Sequence, residues 1–191
     1  MAADVSDPEE LARDVVSALR ERGETVALCE SLTAGLASAT LATVPGASQV
    51  LRGGLITYAT DLKHSLAGVD EKQLENDGPV AASTARAMAT GAQDSCGATW
   101  GVSLTGVAGP DSQDGHPVGE VFIGIAAPDG VTAHRAEASG NLGKFALSDA
   151  TATPVRVLAG DRATIRRAAV RCAFEALLAA VEGEPGPAAV R

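Results

Sequence analysis

Apolar residues recur along this chain with two distinct periods, and the alternation between them predicts helices interleaved with strands. Leu11, Val15, Val16 and Leu19 fall at helical spacing behind Asp7-Pro8-Glu9-Glu10, and Gly23 ends the run. That opening supplies a cap, a proline at the first helical position and acids in the first turn. Thr25–Cys29 is a short continuous apolar run and reads as a buried strand; a helix follows from about Leu32 to Thr43, closed by Pro45-Gly46. Val50–Thr57 is a second β-like run. Asp61 is expected to cap a short helical turn containing Lys63, and Asp70 and Ser83 to cap two further helices, the second reaching about Ser95. Ala98–Leu104 reads as a buried strand. Val118–Ala127 and Val131–Ala138, joined by Pro128-Asp129-Gly130, read as an antiparallel hairpin. After a polar connection, Ser139–Thr153, come a strand at Val155–Leu158 and a long helix over Asp161–Val181. The pattern predicts an α/β fold: a three-layer α/β/α sandwich with a mixed, mostly parallel sheet and one antiparallel hairpin.

Composition sharpens this picture. The 191 residues are enough for one domain with a substantial core, expected over residues 1–182, with a Gly/Pro/Ala tail over 183–191 that has little to bury. Only 3% of residues are aromatic against 46% hydrophobic, so the core must be built from Ala, Val and Leu, which suits helices packed closely on a sheet. A net charge of −9 argues against the clustered basic surface that nucleic-acid binding needs. Cys29, Cys96 and Cys172 show neither metal-ligand spacing nor an even-numbered disulfide framework. No run is long and apolar enough for a membrane span, and no signal peptide precedes Asp7. The expectation is a reduced, soluble, cytoplasmic protein with no metal, no cofactor, no nucleic acid and no membrane among its partners.

Four segments fall at strand ends or helix starts and are candidates to converge at one end of the sheet: Cys29-Glu30-Ser31, Tyr58–Lys63, Leu104–Pro110 and Gly160-Asp161-Arg162. Ser31, at a strand-to-helix turn, is either a nucleophile above the sheet edge or a plain N-cap. The unpaired N–H groups of the following helix are expected to offer donors to an anion. Lys63 on local pattern alone is a solvated helix lysine. Thr105 reads either as a strand threonine or as a hydroxyl aligned on Ser31 and Lys63. Tyr58, the chain's one tyrosine, either flanks a ligand ring or plugs the core. Arg162 is a phosphate ligand or a surface arginine.

Taken together and in order, V-A-L-C-E-S-L-T-A-G-L, V-P-G-A-S, G-G-L-I-T-Y-A-T-D-L-K, S-L-T-G-V-A-G-P, P-V-G-E-V-F-I-G and G-D-R-A-T-I-R resemble the C-terminal domain of the CinA (competence/damage-inducible) family. The resemblance runs from about Val26 to Val181 and implies a chain without the separate N-terminal domain of longer members. It implies nicotinamide-nucleotide amidase activity: hydrolysis of the carboxamide of nicotinamide mononucleotide (NMN) to nicotinate mononucleotide and ammonia. It implies Ser31 as nucleophile and Lys63 as base with Thr105 beside them. Substrate contacts are expected from Glu30, Thr33, Tyr58, Gly106, Gly109 and Arg162, and assembly as a homodimer or higher homo-oligomer.

The chemistry is consistent with that assignment. Amide hydrolysis needs a nucleophile, a base that later protonates the departing amine, and donors for the oxyanion. His64, His116 and His134 do not suggest a triad, and a Ser-Lys pair is the substitute. To act as a base, Lys63 must drop about three pK units, or roughly 4 kcal/mol. Burial would do this, whereas a nearby Asp61 carboxylate would oppose it, so Asp61 is expected to face elsewhere. Two departures from the family stand out: the loop Asp111–His116 is less glycine-rich, and the Ser139–Thr153 connection is longer, reading as a flap or an idle insertion. Two other functions stay open: a nucleotide-binding or regulatory domain without turnover, and a competence or damage-response accessory protein.

Overall fold

Five strands build the central sheet: β1 (Val26–Glu30), β2 (Leu51–Ile56), β3 (Trp100–Gly106), β4 (Val121–Ala127) and β5 (Gly130–Arg135), in the order β2-β1-β3-β4-β5. In this computed structural model, which describes residues 7–137, 143–150 and 152–183, β2, β1 and β3 run parallel. β4 opposes β3, and β5 opposes β4, so β4 alone runs against the common direction. One face carries α1 (Pro8–Arg22), α2 (Leu36–Ala42) and α6 (Arg162–Glu182); the other carries α5 (Ala82–Cys96), with α3 (Thr60–Ser65) and α4 (Glu71–Asp77) at its edge. The α/β/α layering and the β4–β5 hairpin follow the hydrophobic pattern. Among the described residues no helix is long and apolar enough to cross a membrane.

The two faces are built differently. Val26, Leu28, Val102, Leu104, Ile123 and Ile125 point toward α1 and α6, where Leu19, Ile165, Phe174 and Leu177 meet them in the main core. The α5 side is built largely from small residues, with Met88 and Phe122 its large buried side chains. Gly101 and Gly124 lie so close to the Ala89 and Ala85 carbonyls that a Cβ at either would overlap them, and the Ser103 hydroxyl donates to the Ala85 carbonyl at 2.6 Å. This is how a core nearly free of aromatic rings reaches close packing: a helix is brought down onto glycine.

Several local expectations are corrected. α2 begins at Leu36 and not Leu32, behind Gly35 at φ 92°, because residues 31–35 form a turn held by Glu30 (below). Asp61 does not cap α3: the cap position is Ala59, and Asp61 sits exposed in the first turn. Ser83 likewise lies inside α5, its hydroxyl donating to Asp77 at 2.6 Å, whereas Asp70 does cap α4. Within the Ser139–Thr153 connection, β6 (Gly143–Ser148) pairs antiparallel with β7 (Thr153–Leu158) as a second hairpin outside the main sheet; residues 138–142 and 151 lie outside the described residues. Its apolar residues Phe145 and Leu147 are exposed, so the segment has no buried apolar face to mark it as a strand. The tail expected over 183–191 falls, beyond Gly183, outside the described residues.

Gly91 on α5 faces the Ala67 carbonyl, just after α3, with no room for a Cβ. Ala in a helix interior is ordinarily about 1 kcal/mol better than Gly, but Gly91→Ala is expected to cost about 1–3 kcal/mol through overpacking. Gly130→Ala, in open space, should stay within about 0.5 kcal/mol of the parent. Urea denaturation of the two variants checks the contrast.

Candidate active site

β2 and β1 end level with one another, Glu30 pairing with Ile56 on one side and Leu104 on the other, and β3 runs two residues further to Gly106. The chain leaves β1 first toward β2 and later toward β3, so this end of β1 is the switch point where open α/β sheets form a crevice. A cleft of about 110 Å³ lies there, lined among others by Ser31, Tyr58, Lys63, Thr105, Gly106, Gly109 and Arg162. That is below the roughly 300–1,000 Å³ of a pocket enclosing a drug-sized ligand. It is large enough for a small chemical group and not for a whole nucleotide.

Ser31 and Lys63 meet at its floor. The Ser31 N–H donates to the Leu104 carbonyl at 2.9 Å, extending the β1–β3 ladder by one step and fixing where the hydroxyl stands. Lys63, one turn into α3, is 1% exposed; its amine lies 3.0 Å from Ser31 Oγ and donates to the Thr57 carbonyl at 2.9 Å. Burial lowers the Lys63 pKa to about 8. Among the described residues no carboxylate lies within ion-pair distance of it. The Cys29 thiol, hydrogen-bonded to Thr57 Oγ1 at 3.4 Å, is itself pushed up by burial to about 11 and so adds no anion at neutral pH.

The other expected residues separate into those at the cleft and those behind it. Thr105 lines the cleft, but its hydroxyl donates to the Pro79 carbonyl at 2.6 Å and makes no hydrogen bond to Ser31 or Lys63. This corrects the expected alignment: the hydroxyl's proton is already committed to Pro79, so it does not align the Ser31–Lys63 pair. Arg162 donates to the Gly109 carbonyl and, at 2.6 Å, to the Tyr58 hydroxyl, joining two walls of the mouth. Tyr58 is 52% exposed and therefore does not plug the core. Gly106 and Gly109 allow close approach, since a Cβ would strike the Glu120 carbonyl or the Val118 side chain.

Glu30 and Thr33 do not line the cleft. The Glu30 carboxylate turns back to accept from the N–H groups of Gly35, Ala37 and Ser38 at 2.8–3.0 Å and from the Ser38 hydroxyl at 2.7 Å. The free helix N-terminus expected here as an anion site is thus already occupied by a carboxylate. Thr33 is fully buried, and its carbonyl accepts from Arg166.

A profile of the CinA C-terminal domain matches residues 8–154. The chain belongs to the CinA family. It is 43% identical over 149 residues to a CinA-like protein of Frankia casuarinae, covering 76% of this chain and 34% of that protein. The chain thus spans about a third of the length of the curated relatives it matches. Among solved structures it is similar to the competence/damage inducible protein CihA of Agrobacterium tumefaciens, with a TM-score of 0.78 and 32% identity over 95% of this chain and 99% of that one. A CinA superfamily protein of Klebsiella pneumoniae shares the fold at TM-score 0.80 and 23% identity, over 93% and 99% of the two chains.

This CinA-family domain also uses residues that carry no sequence signal of their own. Pro79, Val80, Asp111 and Gln113 also line the cleft. The loop bearing the last two is anchored from behind. His116 Nδ1 lies 2.9 Å from a Glu120 carboxylate that is fully buried and also bound by Arg135 at 2.9 Å and Ser148 at 3.3 Å. Burial raises the Glu120 pKa, but His116 and Arg135 more than offset it and hold the group below its ordinary value. None of the three histidines lines the cleft; His134, buried in β5, is pushed down by burial to about 4. Among the described residues no cluster of three or more His, Cys, Asp or Glu is arranged to hold a metal ion.

An amine whose folded pKa is about 8 against 10.5 for the free group binds fewer protons folded than unfolded between those values. Stability therefore rises with pH across that window and levels off above it. Lys63→Met should be more stable than the parent at pH 7 by about 1–3 kcal/mol, since it removes a buried charge. That advantage should shrink as pH climbs through 8 to 10.5. Denaturant midpoints measured at both ends of the window test this.

Proposed function

We propose that this CinA-family chain is an amidohydrolase that converts NMN to nicotinate mononucleotide and ammonia. The observation that carries the reading is the Lys63 amine, 3.0 Å from Ser31 Oγ and lowered toward neutrality by burial. A neutral amine in that place donates to the Thr57 carbonyl and accepts the Ser31 proton as Oγ attacks the carboxamide carbon. The lysinium so formed protonates the departing nitrogen as the carbon–nitrogen bond breaks, releasing ammonia and leaving a nicotinoyl ester on Ser31. Water, deprotonated by the regenerated amine, then cleaves the ester and returns the serine proton. The ribose and phosphate extend across the rim toward Tyr58 and Arg162, with Arg162 the charge-assisted donor for the phosphate. The same reading has the protein act in the cytoplasm, where its thiols stay reduced, and as a homo-oligomer.

Ser31→Ala should abolish ammonia release from NMN while fold and nucleotide binding persist; more than a few per cent residual activity would remove the serine from its role. In the parent, kcat/KM should rise with pH and level off with an apparent pKa near 8, because only the unprotonated lysine accepts the serine proton. A flat profile from pH 6 to 9 contradicts the base assignment.

Arg162→Ala should weaken NMN binding by about 1–3 kcal/mol, the range for a charge-assisted hydrogen bond. Any hydrolysis of bare nicotinamide should be unchanged, so steady-state comparison of the two substrates separates phosphate recognition from general damage. Equal losses on both would place Arg162 in wall support alone.

A further inference from the structure

The turn that presents Ser31 is gripped from two sides by residues outside the cleft. Glu30, 1% exposed, gathers three backbone N–H groups and one hydroxyl from residues 35–38. Arg166, half-buried on α6, donates from Nε to the Leu32 carbonyl at 3.0 Å and from Nη2 to the Thr33 carbonyl at 2.6 Å. The carboxylate takes the donors of the turn and the guanidinium takes its acceptors. Among the described residues neither group has an oppositely charged side chain within ion-pair distance. A buried carboxylate satisfied by three backbone N–H groups and one neighbouring hydroxyl, and a two-pronged guanidinium spent on carbonyls, hold one local backbone geometry.

We infer that Glu30 and Arg166 are positioning residues that fix Ser31 Oγ against Lys63, an inference that rests on the Ser31–Lys63 reading above. Geometry favours this role over a general contribution to the fold. Ser31 lies between Glu30 and the two carbonyls, and its own carbonyl accepts from Ala34 N–H within the same turn. Arg166 follows Arg162 by one helical turn on the same face of α6, so this helix ties the nucleophile's turn to the mouth of the cleft. Releasing either grip lets the turn shift relative to α3, and a displacement near 1 Å lengthens the 3.0 Å contact enough to cost about 10²-fold in rate.

Two readouts on the full chain test this: steady-state NMN turnover, and the rate at which a fluorophosphonate labels Ser31, followed by intact mass. Arg166→Ala and Glu30→Gln should each lower kcat and the labelling rate about 10²-fold and leave KM for NMN within about twofold. In Arg166→Ala, guanidinium added well below denaturing concentration should restore part of both rates, a rescue that a globally loosened fold would not show. Arg166→Lys should fall between parent and alanine variant, because one ammonium replaces a fork. If Glu30→Gln fails to fold, the Arg166 series decides alone. Parent-like kcat and labelling in folded Arg166→Ala, or a loss carried by KM, overturns the inference. Labelling of the parent at Ser31 without NMN turnover overturns the choice of substrate and leaves the labelling rates to decide the grip. A parent that is not labelled at Ser31 overturns both.

Discussion

A lysine amine held out of water against a serine hydroxyl is the interaction on which the rest of this structure depends. Burial at this depth is costly for an ammonium, and the described residues supply no anion to relieve it: Asp61 faces solvent, Glu30 turns into α2, and the Cys29 thiol stays protonated. What Lys63 receives is a carbonyl to donate to and a hydroxyl to meet, a set suited to a neutral amine. The site is therefore a stored destabilisation, and the surrounding packing must hold it closed.

That packing explains the small residues. α5 can lie against the sheet and against the loop after α3 because Gly91, Gly101 and Gly124 leave room for carbonyls. With α5 in place, Ala67 and Val69 are buried with Met88 beneath Cys29, and α3 is pressed down so that Lys63 points inward. On the other face α6 holds the walls: Arg162 joins Tyr58 to Gly109, and Arg166 holds the serine's turn. The buried His116–Glu120–Arg135 cluster holds the remaining wall, the loop ending at β4.

Periodicity sufficed for the layers, the β4–β5 hairpin and α1 with its Asp7 cap, since those segments carry strong, long-range patterns. Ser31 and Lys63 were legible only through ordered motifs, because a lysine in a polar helical turn looks solvated until tertiary structure buries it. Caps at Asp61 and Ser83 misread the sequence for a common reason: the chain entering α3 and α5 is extended at Ala59 and Ala81, so the helix starts before the polar residue. Glu30 and Thr105 each stand beside a site residue in sequence, yet their polar atoms are spent away from the Ser31–Lys63 pair, on backbone groups and, for Glu30, the Ser38 hydroxyl as well. Sequence adjacency does not report which way a side chain turns, and alternating strand geometry sends neighbours to opposite faces. Arg166 closes the G-D-R-A-T-I-R motif but nothing local shows what it holds, and Pro79 had no local signal, since each acts across more than twenty residues of intervening chain.

The most direct test is the titration of Lys63 itself. In protein labelled with ¹³C on lysine, the Lys63 Cε resonance, assigned by its absence from Lys63→Met, should titrate with a midpoint near 8 and should shift in Ser31→Ala. A midpoint near the ordinary lysine value of about 10.4, unaffected by Ser31→Ala, would mean that the amine is solvated and that no base stands beside the serine.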